Sequence, residues 1–404
     1  MAALDVQHSQ RRSAVVVGPV ALPSPELLTR RLIAMAEVGP ETRIGLVPST
    51  TSTRWRFAPD QLAHAVQPTS RSPDSDPISL VSRLRRLPER SLRVLSAGDH
   101  LVIDFSHGLG EIPLLDLLIS VLLGASDCAD DTLWAPYRHT VPPLAAAAVG
   151  AIVLAPHRLL PMWRQRRRSG VIAATTPPGS VAVMPSTATR VARIPADAVD
   201  ELRRRRNATM PGVSLFAVYT CALYQALIDE GFDVEPTVTV PVDVRRYLPA
   251  RSGTLGSFSA GLRFPLDSRT APATLHDELS AAARTARPVA NLLIGSLKSR
   301  VTPRSGHSDV WTAPARPRVQ LLHSNIGQVP RSAWGFSDPA QARVLVASDP
   351  AGPCGVTVST TSVLGTSWLT AEFHDGLFDA NRVGAALATV LDRAEALLQS
   401  PSRR

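Results

Sequence analysis

Two ionisable residues stand four apart in the stretch FSHGLGEIPLL (Phe105–Leu115): His107 and Glu111. A neutral imidazole near pH 7 can take a proton from an alcohol or an amine, so His107 is of the right type for a general base. Alternation along the preceding run puts Leu101, Ile103, Phe105 and His107 on one side, with Asp104 and Ser106 on the other. The histidine therefore leaves the apolar face of a strand, where burial lowers its pKa and keeps it neutral. Glu111 opens an apolar helix, whose positive end favours a carboxylate. An ordinary histidine bonded to backbone in a strand-to-helix turn satisfies the same pattern, so the residues alone leave both readings open.

Other chemistries lack their residues. There is no GxxxxGKS or GxxxxGKT phosphate loop, no GxGxxG after a strand and no HExxH. The segment SFSAG (Ser257–Gly261) approaches a GxSxG nucleophile elbow but lacks the first glycine and lies between strand-like runs. Cys128, Cys221 and Cys354 have no metal-like spacing, so no metal site is expected. Their odd number without a disulfide framework points to a reducing, cytoplasmic setting. The arginine runs RQRRRSG and LRRRRN read as solvated helix faces. Without interleaved aromatics or a recognisable motif, nucleic-acid binding is not expected. The net charge of +9 suits an anionic partner such as a phosphate-bearing molecule, an acidic protein or a membrane surface. An arginine-rich genomic composition gives the same charge.

The elements that must position His107 follow from periodicity and punctuation. LRVLSAGDHLVIDFS (Leu92–Ser106) reads as two strands joined at Ala97-Gly98-Asp99. EIPLLDLLISVLLG (Glu111–Gly124) reads as a helix with Pro113 in its first turn and Gly124 as its stop. SAVVVGPV reads as a strand, followed by a helix with Ser24 as N-cap and Pro25 at its first position. VIAATTPPGS (Val171–Ser180) reads as a loop and sets a boundary, giving units of 1–175 and 176–404. Two units agree with a chain of 404 residues, longer than the roughly 250–300 at which a single core stops growing. Beyond the boundary come two helices, several strand-like runs and one long C-terminal amphipathic helix, DANRVGAALATVLDRAEALL. Strands separated by helices in both halves give an α/β class. The apolar stretch Val141–Ala155 is shorter than the ~20 residues that span a bilayer. With its basic flank, 141–170 fits either a peripheral membrane contact or a helix packed on the protein itself. The packed helix, with its arginine-rich end exposed, is the expectation.

The arrangement of a strand, then His107, three residues, an acid and an apolar helix resembles the HHxxxDG signature of the CoA- and carrier-protein-dependent acyltransferase superfamily. That family includes chloramphenicol acetyltransferase, condensation domains, and polyketide-associated and wax-ester acyltransferases. Three later segments resemble family pieces in the right order: PVDVRRYLP (Pro241–Pro249), GTLGSFSAGLRFPL (Gly253–Leu266) and HSNIGQV (His323–Val329). The resemblance spans about Leu92 to the C-terminus. It implies two chloramphenicol-acetyltransferase-like subdomains with an active-site tunnel between them, and His107 as general base. It makes Glu111 structural, paired to an arginine such as Arg245 in the motif that also holds Asp243. Ser324 and Asn325 would orient substrate.

No bound cofactor is implied. The donor would be an acyl-CoA or a phosphopantetheine thioester, with an acyl or peptidyl carrier protein as partner. The acceptor would be a small alcohol or amine. Three positions depart from the pattern: Ser106 for the first histidine, Glu111 for aspartate and Ile112 for glycine. A β-branched residue cannot easily take the positive φ or close approach open to glycine. Ile112 therefore supports an alternative, a catalytically inactive condensation-domain-like module that binds a carrier protein or hydrophobic ligand.

Overall fold

The computed structural model describes residues 1–70, 76–138, 140–155, 157, 179–184, 186–301, 311–330 and 334–399. Leu92–Ala97 and His100–Ser106 form an antiparallel hairpin, and Gly98 sits at its turn with φ +63°. Two further antiparallel pairings put Arg12–Gly18 beside His100–Ser106 and Arg343–Ser348 on its other edge. The parallel strand Val66–Thr69 completes a five-stranded sheet. Four of its strands come from the first half of the chain, and Arg343–Ser348 comes from the second.

A six-stranded sheet is built from the second half. Its order is Ser259–Pro265, Val234–Asp243, Val319–Gln328, Gly355–Val363, Thr366–His374 and Thr187–Ile194. The central pairs are parallel and the outer ones antiparallel. Val319–Gln328 carries a bulge between Asn325 and Gly327. The buried apolar residues divide into two clusters, one around each sheet with the helices that cover it.

The helix opened by Glu111 runs Ile112–Leu123 and stops at Gly124, which takes the left-handed conformation (φ 82°). Its leucines face both the sheet and neighbouring helices, so it is buried on most sides. The C-terminal helix expected as one is two, Ala380–Ala388 and Val390–Gln399. At the break the Thr389 hydroxyl donates to the Ala386 carbonyl at 3.1 Å, a side-chain bond that competes with the helical ladder.

The segment from 141 divides into a short helix, Pro143–Ala148, and one π-helical turn, Val149–Val153. Ala147 and Ala151 are buried against the second cluster, while Val153 and Leu154 are 66% and 76% exposed. This part therefore packs on the protein along one face only. The arginine-rich run that follows, and the expected boundary loop at 171–178, lie outside the described residues. Among the described residues, no helix is long and apolar enough to cross a membrane.

An ion cluster ties the two sheets together. Asp104 is fully buried and meets Arg93 at 2.5 Å and Arg12 at 2.6 Å. Arg85 reaches Asp104 at 3.6 Å, Asp349 at 3.2 Å and Glu372 of the six-stranded sheet. Asp104 lies on the face of the strand opposite Leu101, Ile103 and Phe105, and both faces are buried. The strand that ends at the candidate base is thus anchored on its other face by charge.

Candidate active site

The register between Arg12 and Ser106 sets the site. One residue further, the His107 N–H donates to the Arg11 carbonyl at 2.7 Å, and the chain turns away in a 3-10 turn, His107–Leu109. His107 Nδ1 lies 3.3 Å from the Gly110 carbonyl. A carbonyl only accepts, so Nδ1 carries the proton and Nε2 keeps its lone pair. The ring lines a cavity of about 230 Å³ whose walls come from both sheets. Burial first, then the Arg11 charge, lower the His107 pKa to about 4, with Glu111 opposing. The imidazole is neutral near pH 7.

The turn is clamped from several directions. The Arg43 guanidinium donates to the Leu109 carbonyl and, at 2.9 Å, to the Gly108 carbonyl. Arg43 is itself held by Asp5 at 3.0 Å. The Ser257 hydroxyl donates to the His107 carbonyl at 3.3 Å, and the Ser257 N–H donates to Asp5 at 3.1 Å. A Cβ on Gly108 would stand 2.5 Å from the Asp5 carbonyl, and one on Gly110 would stand 2.4 Å from the Leu255 carbonyl. The close approach that requires glycine is therefore made at 108 and 110. Ile112 opens the helix and is absent from the positive-φ positions, so the departure there does not deform the turn.

Glu111 is the N-terminal flanking residue of that helix, but its carboxylate does not cap it. Oε2 accepts from Arg245 Nη1 at 2.8 Å and from the Ser259 hydroxyl at 2.9 Å, and Oε1 accepts from the Ser259 N–H at 3.1 Å. Arg245 also donates to the Thr254 and Gly256 carbonyls, at 2.8 and 2.6 Å. Asp243 Oδ1 takes the Arg245 N–H and Nη1, at 2.9 and 3.0 Å. Burial alone would raise the Glu111 pKa. The Arg245 charge overcomes it and holds the carboxyl below the usual range, so the pair is ionised. The structure thus brings Glu111, Arg245 and Asp243 together and joins the helix start to the loop 254–259.

Ser324 and Asn325 line the same cavity. Asn325 Oδ1 accepts the Gly327 N–H at 3.1 Å, and Gly327 takes φ +81°. The asparagine carbonyl is therefore engaged at the bulge. Ser324 pairs in register with Ser359, also a lining residue. His323 of the same segment turns away into the core. It lies 2.8 Å from both the Thr220 and Thr360 hydroxyls, with burial lowering its pKa to about 3.

Sequence reading missed His8, Arg11 and Asp349, which also line the cavity. The signal for two of them was positional. His8 and Arg11 immediately precede the first strand, and pairing that strand against His100–Ser106 sets Arg11 opposite His107. Nothing local marks Asp349, which arrives on the strand inserted from the second half. Among the described residues, no group of three or more His, Cys, Asp and Glu has the arrangement to hold a metal.

Comparison with solved structures returns the same architecture. The trichothecene 15-O-acetyltransferase of Fusarium sporotrichioides superposes with a TM-score of 0.62 at 11% identity, covering 99% of this chain and 95% of that one. This chain has the condensation-domain and acetyltransferase fold. A condensation domain of the monacolin K polyketide synthase gives 0.60 at 12% identity, covering 97% and 93%. The first condensation domain of the CDA synthetase gives 0.57 at 17% identity, covering 99% and 95%. The fold therefore agrees with the resemblance read from the motifs. No protein-family model and no curated protein matches the sequence.

Proposed function

We propose that this protein transfers an acyl group from a thioester to a hydroxyl or amine acceptor, with His107 as general base. The observation that carries the reading is the position of the His107 ring, which lines a cavity walled by both halves of the chain. With the Gly110 carbonyl accepting from Nδ1, Nε2 is the nitrogen free to take a proton. The acceptor O–H or N–H bonds Nε2, its proton passes to the imidazole, and the freed lone pair attacks the thioester carbonyl. A tetrahedral intermediate forms. The C–S bond then breaks, and the proton on Nε2 returns to the departing sulfur as a thiol. The donor is an acyl-CoA or a carrier-bound phosphopantetheine thioester. The positive net charge suits the phosphates of either, and an acidic carrier protein.

Glu111 in this reading fixes the turn through Arg245 and Ser259. Its charge also favours the imidazolium that forms at His107, partly offsetting burial.

The pH dependence follows from the burial of the base. Catalysis requires Nε2 unprotonated, so activity is present above the His107 pKa and lost below it. With that pKa lowered to about 4, kcat/KM should stay level as pH falls through 6.5, declining only as it approaches 4. A pH profile measured across this window, with folding followed by circular dichroism, checks the expectation. A decline centred on the ordinary histidine value of about 6.5 would show that the working base is a solvated group and not His107.

A further inference from the structure

The cavity wall carries a cation that contacts none of the reacting groups in the reaction above. Arg11 lies on its wall, one position before the strand that pairs with the histidine strand. Its side chain has one hydrogen bond among the described residues, from Nη2 to His8 Nδ1. An arginine only donates, so His8 Nδ1 is the bare nitrogen and His8 Nε2 carries the proton. The His8 ring meets the His107 ring edge-on, with centroids 5.1 Å apart. The two histidines therefore hold opposite tautomers: His107 offers a lone pair and His8 an N–H.

The neighbouring carboxylates are engaged elsewhere. Glu111 is bonded to Arg245 and Ser259. Asp349 accepts the Arg12 N–H at 2.7 Å and pairs with Arg85 at 3.2 Å. Asp243 is bonded to Arg245. Arg11 has no carboxylate within salt-bridge distance among the described residues, although it is largely buried. Burial lowers its pKa despite the opposing fields of Asp349 and Glu111. An uncompensated guanidinium inside a protein is costly, and a fork of unused N–H donors is shaped for a planar anion.

Resting on the acyl-transfer reading, we propose that the acceptor is a hydroxy or amino acid whose free carboxylate pairs with Arg11, with the His8 Nε2–H as a second donor. The placement assigns the carboxylate to the acceptor, because the group that bonds His107 Nε2 is the acceptor hydroxyl or amine. Arg11 and His8 stand within a small molecule's length of that nitrogen. A carboxylate held there would place the acceptor's nucleophile at the base, and would exclude acceptors whose carboxyl is esterified.

Binding tests this without turnover. Calorimetric titration of the full chain with lactate, methyl lactate and propionate separates the contributions. Lactate should bind at least about tenfold more tightly than its methyl ester, as the loss of a charge-assisted pair requires. It should also bind more tightly than propionate, which lacks the hydroxyl. In Arg11→Gln, with an unchanged circular dichroism spectrum, the preference for acid over ester should disappear. In His107→Ala, the preference for acid over ester should remain while the advantage over propionate is lost. Equal binding of acid and ester, or an Arg11→Gln variant that keeps the preference, overturns the proposal. Propionate binding as tightly as lactate would show that the hydroxyl makes no contact at His107 and overturns the acceptor assignment. Failure of these titrations leaves thioester turnover unaffected, so the acyl-transfer reading stands or falls separately.

Discussion

Replacing His107 with alanine is expected to lower kcat by about 10²–10⁴-fold while the protein stays folded. Among the described residues the imidazole makes one long hydrogen bond, at 3.3 Å to the Gly110 carbonyl. The turn around it is held by other groups, namely Arg43, Ser257 and the Arg11 carbonyl. Removing the ring therefore strands no charge and releases no clamp. Turnover of an acyl thioester by the purified variant, alongside its melting temperature, checks both halves of the expectation. Activity within a few-fold of wild type would remove His107 from the chemistry. If His107→Ala and Glu111→Gln both stay folded and neither changes any activity, the reading of a catalytically inactive binding module takes precedence.

Glu111→Gln is expected to do what His107→Ala does not, and lower stability together with activity. Breaking a buried pair by removing one charge costs about 3–5 kcal/mol, because the partner is left uncompensated. Arg245 is 12% exposed and Glu111 10%, so solvent compensates little. Asp243 and the Thr254 and Gly256 carbonyls still hold Arg245 in the variant, which places the cost near the lower end, about 3 kcal/mol. The loss should also depend on pH. The wild-type pair contributes above the ordinary carboxylate pKa and loses its contribution as pH falls through the lowered Glu111 value. The glutamine variant lacks that contribution throughout, so the two denaturation curves should converge in acid. A variant with unchanged melting temperature and abolished turnover would make Glu111 a chemical group and not a positioning one.

The parts of the site that were legible in the sequence are those fixed by local pattern. Alternation from Ile103 to His107, a tight hairpin at Gly98 and an apolar run ending at Gly124 specify a strand, a turn and a helix, and these place His107 and Glu111. Arg245 and Asp243 were legible only through resemblance, since no local property of PVDVRR says which carboxylate lies across from it. The contacts that were not legible join distant segments. Asp5 to Ser257 and Arg12 to Asp349 depend on how the halves dock and on the strand Arg343–Ser348 crossing into the first sheet. The importance assigned to Ile112 illustrates the same limit. The motif resemblance makes that position the missing glycine, whereas the chain meets its neighbours at Gly108 and Gly110, two positions set by docking against Asp5 and Leu255.

The central claim is acyl transfer from a thioester to an external nucleophile, and product analysis tests it most directly. The purified protein would be incubated with acetyl-CoA or an acyl-pantetheine thioester and a panel of alcohols and amines. Thiol release would be followed continuously and the acylated product counted by mass spectrometry. Thiol release should depend on acceptor, with one acylated acceptor formed for each thiol, and both should be lost in His107→Ala. Thiol release independent of acceptor and unchanged in His107→Ala, with free acid as the only product, would contradict the claim.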